Sequence, residues 1–219
     1  AVLYGATQRF QESEAMYKSA LAIRERLAKE NPQAYEPALA GSYNNLAVLY
    51  CDTQRYDESE AMYKSAIDIR ERLAKVNPQA YEPDLAISYN NLASLYLDTQ
   101  RIKESEAVYR SALAIRERLA KVNPQAYEPA LARSYASLAS LYRDTQRFQE
   151  SEAMYKSALA IRERLAKASP QAYEPALAGS YASLASLYRD TQRFQESEAM
   201  YKSALAIRER LAKASPQAY

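Results

Sequence analysis

Apolar residues recur along the chain at helical spacing and are interrupted at regular intervals by short polar runs. Within residues 36–81, Leu39, Tyr43, Leu46, Ala47 and Tyr50 form one apolar stripe. Asp52-Thr53-Gln54-Arg55 breaks it. A second stripe follows through Tyr56, Ser59, Met62, Tyr63, Ala66, Ile69 and Leu73. Glu36-Pro37 opens the first stripe, and proline suits a first helical position because its missing N–H would have no partner there. Asn77-Pro78 closes the second, since a residue before proline is pushed out of the helical region. The pattern predicts a first helix over about 37–53, a tight turn, a second helix over about 56–75, and a short loop through Gln79-Ala80-Tyr81. No strand-like alternation occurs, and only Gly5, Gly41 and Gly179 loosen the backbone, so well over half of the chain is expected to be helical.

The same pattern returns every 46 residues. Ser42-Tyr43-Asn44-Asn45-Leu46-Ala47 recurs as Ser88-Tyr89-Asn90-Asn91-Leu92-Ala93, then from Ser134 and again from Ser180. Thr-Gln-Arg marks the beat at Thr7, Thr53, Thr99, Thr145 and Thr191. Neither helix of a unit can bury its stripe alone, so a fixed period of this size implies stacked units. One array over 1–219 is expected, with a truncated first repeat (1–35) and full repeats at 36–81, 82–127, 128–173 and 174–219. Ala1-Val2-Leu3-Tyr4 aligns with Ala47-Val48-Leu49-Tyr50, so the chain opens inside a unit, as a piece of a longer array would.

Tyr43, Leu46, Ala47 and Tyr50 in the first helix resemble the large–Leu–small–Tyr signature of the tetratricopeptide repeat. Tyr56, Ser59, Tyr63 and Ala66 resemble its aromatic–small–aromatic–small signature in the second. The Asn-Asn-Leu-Ala start and the long second helix ending Ile69-Arg70-Glu71-Arg72-Leu73 are most similar to the extended repeats of kinesin light chains and bacterial arrays. Gln54 stands where the family has glycine, and its helix-ending proline is displaced to Pro78. The resemblance implies an all-α, right-handed superhelical solenoid of antiparallel helix–turn–helix repeats. It also implies a concave groove lined by the first helix of each repeat, where such arrays hold peptides.

Residues 127–172 and 173–218 differ only at Arg133 against Gly179, so the few differences among repeats are informative. On the first helix they collect at Gly41/Ile87/Arg133/Gly179, Asn44/Asn90/Ala136/Ala182, Asn45/Asn91/Ser137/Ser183, Val48/Ser94/Ser140/Ser186 and Cys51/Leu97/Arg143/Arg189. At about 100° per residue these fall in one sector, opposite the constant apolar set. The candidate partner-binding residues are Asn44, Asn45, Val48, Asp52, Asn90, Asn91, Ser94, Asp98, Arg133, Ser137, Arg143, Asp144, Ser183, Arg189 and Asp190. Asn both donates to and accepts from a peptide backbone. Drift of an unconstrained surface would produce the same stripe. The constant Asp52, Asp98, Asp144 and Asp190 could favour basic ligands, but are expected first to cap the following turn or helix. Arg143 and Arg189 sit beside two of these acids and could neutralise them.

Lys and Arg number 29 against 27 Asp and Glu, a balance that disfavours a nucleic-acid groove or a membrane surface. The 20 tyrosines are therefore expected in packing, with hydroxyls reaching partners at the rim, and not as a stacking platform for bases. The Arg-Glu-Arg run at 70–72 is expected on a solvated face. Glu58 and Glu60, like Glu12 and Glu14, recur too often for a catalytic pair. Histidine is absent, and no phosphate loop, metal-ligand cluster or nucleophilic triad occurs, so no enzyme activity, cofactor or metal is expected. Cys51, the one cysteine, excludes an internal disulfide and weakly favours a reducing, cytoplasmic setting.

The expected function is a protein-interaction scaffold holding a peptide or partner segment along the first helices. A sensor or regulatory part of a larger protein is one rival. A structural or designed repeat that self-associates head to tail through uncovered ends is another. A carboxylate clamp of the kind some family members carry needs several basic first-helix positions. Only Arg133, Arg143 and Arg189 qualify, so it is not assigned.

Overall fold

A computed structural model describes residues 9–214. The partial copy at Ala1–Tyr4, with Gly5 and Thr7, and the last residues to Tyr219 lie outside the described residues. The described residues form nine helices of 21 residues each. They are α1 (Phe10–Glu30), α2 (Pro32–Asp52), α3 (Tyr56–Val76), α4 (Pro78–Asp98), α5 (Ile102–Val122), α6 (Pro124–Asp144), α7 (Phe148–Ala168), α8 (Pro170–Asp190) and α9 (Phe194–Ala214). Even-numbered helices through α8 are the first helices of the 46-residue repeat, and odd-numbered ones the second. The chain divides into two compact units, Ala1–Ile115 and Arg116–Tyr219, with the boundary inside α5.

Each first helix begins five residues earlier than the sequence pattern suggests. Asn31, Asn77 and Asn123 end one helix and cap the next, their side chains accepting from the backbone N–H of Ala34, Ala80 and Ala126 at 3.2 Å. Pro32, Pro78 and Pro124 then sit at the first helical position. The expected loop is thus the first turn of a helix. The later Pro37, Pro83 and Pro129 are inside it, each forgoing one backbone bond.

The turn from first to second helix is a Schellman motif. Gln54 adopts φ 59°. Its N–H donates to the Cys51 carbonyl at 2.9 Å, and the Arg55 N–H donates to the Tyr50 carbonyl at 2.8 Å. Gln100, Gln146 and Gln192 repeat the left-handed conformation at φ 61°, 60° and 60°. Thr53 closes the same turn, its hydroxyl donating to the Leu49 carbonyl at 2.9 Å. Asp52 is exposed, and Arg55 and Arg147 begin α3 and α7 without a side-chain cap. The expected capping role of the aspartates is therefore taken by Thr53 and the left-handed glutamine.

Within the first unit, Leu46, Leu49 and Tyr50 of α2 bury against Phe10, Tyr17 and Leu21 of α1 and Met62 of α3. Leu39 and Ala40 pack with Ala28 and Ile69. Within the second, Leu184, Leu187 and Tyr188 of α8 join Ala139 and Tyr155. Close approach of the paired helices rests on a serine. Ser59, Ser105, Ser151 and Ser197 are buried and donate to the carbonyls of Ala47, Ala93, Ala139 and Ala185 at 2.7–2.8 Å.

Candidate functional site

The fixed apolar face of the first helix is buried, and the changing face, apart from Asn44, is exposed or half-buried. In α2, Leu46, Ala47 and Tyr50 are 2%, 0% and 4% exposed, while Val48 is 39% exposed. Asn45 and Asp52 are exposed with it. In α4, Asn90, Asn91 and Ser94 are half-buried and Asp98 exposed. In α6, Arg133 and Asp144 are exposed, and Ser137 and Arg143 half-buried. In α8, Arg189 and Asp190 are exposed and Ser183 half-buried.

Successive first helices lie beside one another within each unit. Ser88 of α4 donates to Asn44 Oδ1 of α2 at 3.2 Å, and Asn91 Nδ2 donates to the same oxygen at 3.5 Å. Asn44 is consequently buried, unlike the open binding residue its register suggests, and its carbonyl is spent inside the unit. Of the other amides on this flank, Asn45 is exposed and Asn90 and Asn91 are half-buried, Asn91 giving one of its N–H groups to Asn44. Ser94 reaches the Tyr109 hydroxyl at 3.0 Å.

Electrostatics distinguish the two units. Burial, then Asp98 and Asp52, push the Cys51 thiol up, so the cysteine is held as a neutral thiol beside two acids. In the second unit the matching acids are matched by cations. Arg143 meets Asp144 at 3.4 Å and Asp190 at 4.0 Å, and Arg189 meets Asp190 at 3.4 Å. The flank is amide-and-acid in α2 and α4, and charge-paired in α6 and α8.

The Arg-Glu-Arg run is a solvated face only at Arg72, which is exposed. Arg70 is 8% exposed and donates to the Asp84 carbonyl at 3.0 Å and to the Ser88 hydroxyl. Glu71 accepts from the Tyr89 hydroxyl, and Arg72 pairs with Glu36 at 2.6 Å. These contacts bind α3 to both α2 and α4. Glu60 is likewise an inter-helix group: it accepts from the Tyr96 hydroxyl at 2.9 Å and pairs with Arg101. Its recurrence was legible in the sequence, but its partners 36 and 41 residues away were not. Tyr43 donates to Glu25 at 2.6 Å, and burial followed by that bond raises its pKa to about 12.

Among the described residues, no group of His, Cys, Asp and Glu side chains could hold a metal, and no helix is long and apolar enough to cross a membrane. On α9, Phe194 and Leu205 are 64% and 55% exposed beside open clefts.

Family models described as tetratricopeptide repeat match residues 38–118, 84–164 and 131–210, and a further one matches residues 1–33. No curated protein matches the chain significantly. Among solved structures, BtubC (BKLC) from P. vanneervenii superposes with a TM-score of 0.79 at 27% identity, over 95% of this chain and 77% of that one. A Podosopora anserina putative kinesin light chain with nearly identical TPR-like repeats gives 0.74 at 19% identity, over 96% and 92% of the two chains. The apo form of RapI gives 0.75 at 14% identity, over 95% of this chain and 51% of that one, a likeness of fold alone.

Proposed function

The chain belongs to the tetratricopeptide repeat family, generally a protein-interaction module and typically non-catalytic, and from that premise we propose that it holds a peptide or partner segment along the outward flank of its first helices. The observation that carries this reading is the division of α2 and α4 into a sealed face and an open one. The repeat keeps Leu46, Ala47 and Tyr50 constant and buried, and varies the residues that reach the surface. Asn45, Asn90 and Asn91 offer paired donors and acceptors suited to a peptide backbone, with Val48 and Ser94 between them. Asp52 and Asp98 favour a basic residue at that end. Asn44 contributes by fixing the spacing of α2 and α4.

Peptides selected from a random display library against the purified chain test the reading. Asn45→Ala with Asn90→Ala should weaken the selected peptides at least tenfold and leave helicity unchanged. Equal affinity in the double variant would contradict it.

A further inference from the structure

Tyr63 ends in a hydroxyl that no other side chain answers. The residue is 3% exposed, and its oxygen has no hydrogen-bond partner among the described residues. No fully buried polar side-chain atom among those residues lacks a partner, so the Tyr63 oxygen is open to the surface. Its counterparts show where it emerges. The Tyr109 hydroxyl lies 3.0 Å from Ser94, and the Tyr155 hydroxyl 3.1 Å from Ser140. Both serines stand on a first helix at the place of Val48, whose side chain has no polar atom. The Tyr63 hydroxyl therefore meets the outward flank of α2 beside Val48, one helical turn from Asp52. Burial, then Cys51 and Asp52, push its pKa up, so it stays protonated.

The carboxylates beside it are unanswered as well. Asp52 and Asp98 are exposed and form no ion pair among the described residues. The second unit fills the same register from within. There Arg143 meets Asp144 on its own helix at 3.4 Å and Asp190 on the next first helix at 4.0 Å. Cys51 stands at the place of Arg143, with Asp52 and Asp98 at the places of those two acids. α2 and α4 are held side by side by the bonds from Ser88 and Asn91 to Asn44, at 3.2 and 3.5 Å. The half-buried Cys51 side chain is too short to extend where the Arg143 guanidinium sits. One scaffold thus shows a guanidinium between two aspartates in one unit, and the same two aspartates without it in the other.

We infer that the first unit takes an arginine side chain of the peptide partner, its guanidinium lying between Asp52 and Asp98 and donating also to the Tyr63 hydroxyl. The aliphatic stem of that arginine lies along the exposed Val48. A guanidinium presents donors on several edges of one plane, enough for two carboxylates and a hydroxyl together, whereas a lysine ammonium is a point charge on a flexible stem. The site rests on the peptide-binding reading above and adds a residue preference to it.

Random display peptides selected against the purified chain and sequenced test the assignment. Arginine should be enriched at one position of the selected peptides, ahead of lysine. In calorimetric titration of one such peptide, replacing that arginine by lysine should weaken binding about fivefold, and by alanine about tenfold or more. Cys51→Arg copies the second unit and supplies the guanidinium from within, so it should abolish the difference between the arginine and alanine peptides. Tyr63→Phe removes the hydroxyl alone and should erase the preference for arginine over lysine. Circular dichroism should be unchanged in both variants. Equal enrichment of lysine, an arginine preference that survives Cys51→Arg, or one indifferent to Tyr63→Phe would overturn the assignment. Selected peptides with no favoured arginine that still depend on Asn45 and Asn90 would show that the arginine site alone had failed. Failure to select any peptide would contradict the groove reading itself.

Discussion

The Tyr96 hydroxyl donates to Glu60 at 2.9 Å, and the Arg101 guanidinium lies over the Tyr96 ring, 4.1 Å from its centroid, while reaching the same carboxylate. One acid in a second helix thereby fastens the end of the next first helix and the turn after it. Burial pushes the Glu60 carboxyl up, but bonds from Arg101, Lys64 and Tyr96 outweigh it and hold the pKa at about 2, below the ordinary 4.5. Glu152 is held at about 2 by Arg193 and Lys156 against the same opposing burial. A depressed carboxyl stabilises the fold above its unfolded pKa and loses that contribution as pH falls toward the folded one. Stability should therefore decline between about pH 4.5 and 2. Glu60→Gln should lower neutral-pH stability by about 1 kcal/mol after solvent screening, and flatten the acid limb of a urea-midpoint profile.

Gln146 occupies a left-handed position at φ 60°. A side chain there costs about 1–2 kcal/mol, and glycine gives back about 0.5–1 kcal/mol through the freedom of its unfolded chain. Gln146→Gly should raise stability by about 0.5 kcal/mol, and Gln146→Val, with a branched β-carbon, should lower it by about 1 kcal/mol. Denaturant midpoints of the two variants check the opposite signs.

The helical stripes, the period and the family signature were all legible because burial of an apolar face leaves a periodic mark. What the sequence concealed was longer in range. Pro78 reads as a helix stop, and whether Asn77 then caps a new helix depends on a backbone bond that periodicity does not reveal. The run at Arg70-Glu71-Arg72 looks like a solvated face because its partners, Ser88, Tyr89 and Glu36, lie on other helices. Asn44 shares the sector of Asn45, yet contact with Ser88 and Asn91 turns it inward.

Ser151 is fully buried and donates to the Ala139 carbonyl at 2.8 Å. Ser151→Ala should cost about 1 kcal/mol, the worth of one such bond. Ser151→Leu should cost about 3 kcal/mol, because the branched side chain forces apart helices that meet through small residues. Thermal melts of the pair separate the lost bond from the lost closeness.

Asn44→Ala leaves Ser88 without its side-chain acceptor and should cost about 1 kcal/mol of stability. Its effect on peptide affinity should be smaller than that of Asn45→Ala, which removes an amide facing solvent. Parallel unfolding and binding titrations on the two variants distinguish a spacing role from a contact role.

A photo-activated cross-linker placed in turn at Asn45, at Asp52 and at Lys64 tests the central claim most directly. Lys64 is exposed on α3, a second helix, where it pairs with Glu60 at 2.7 Å. With a library-selected peptide bound, cross-linked peptide should be recovered from Asn45 and Asp52 and not from Lys64. Recovery from Lys64, with none from the two α2 positions, would contradict the account.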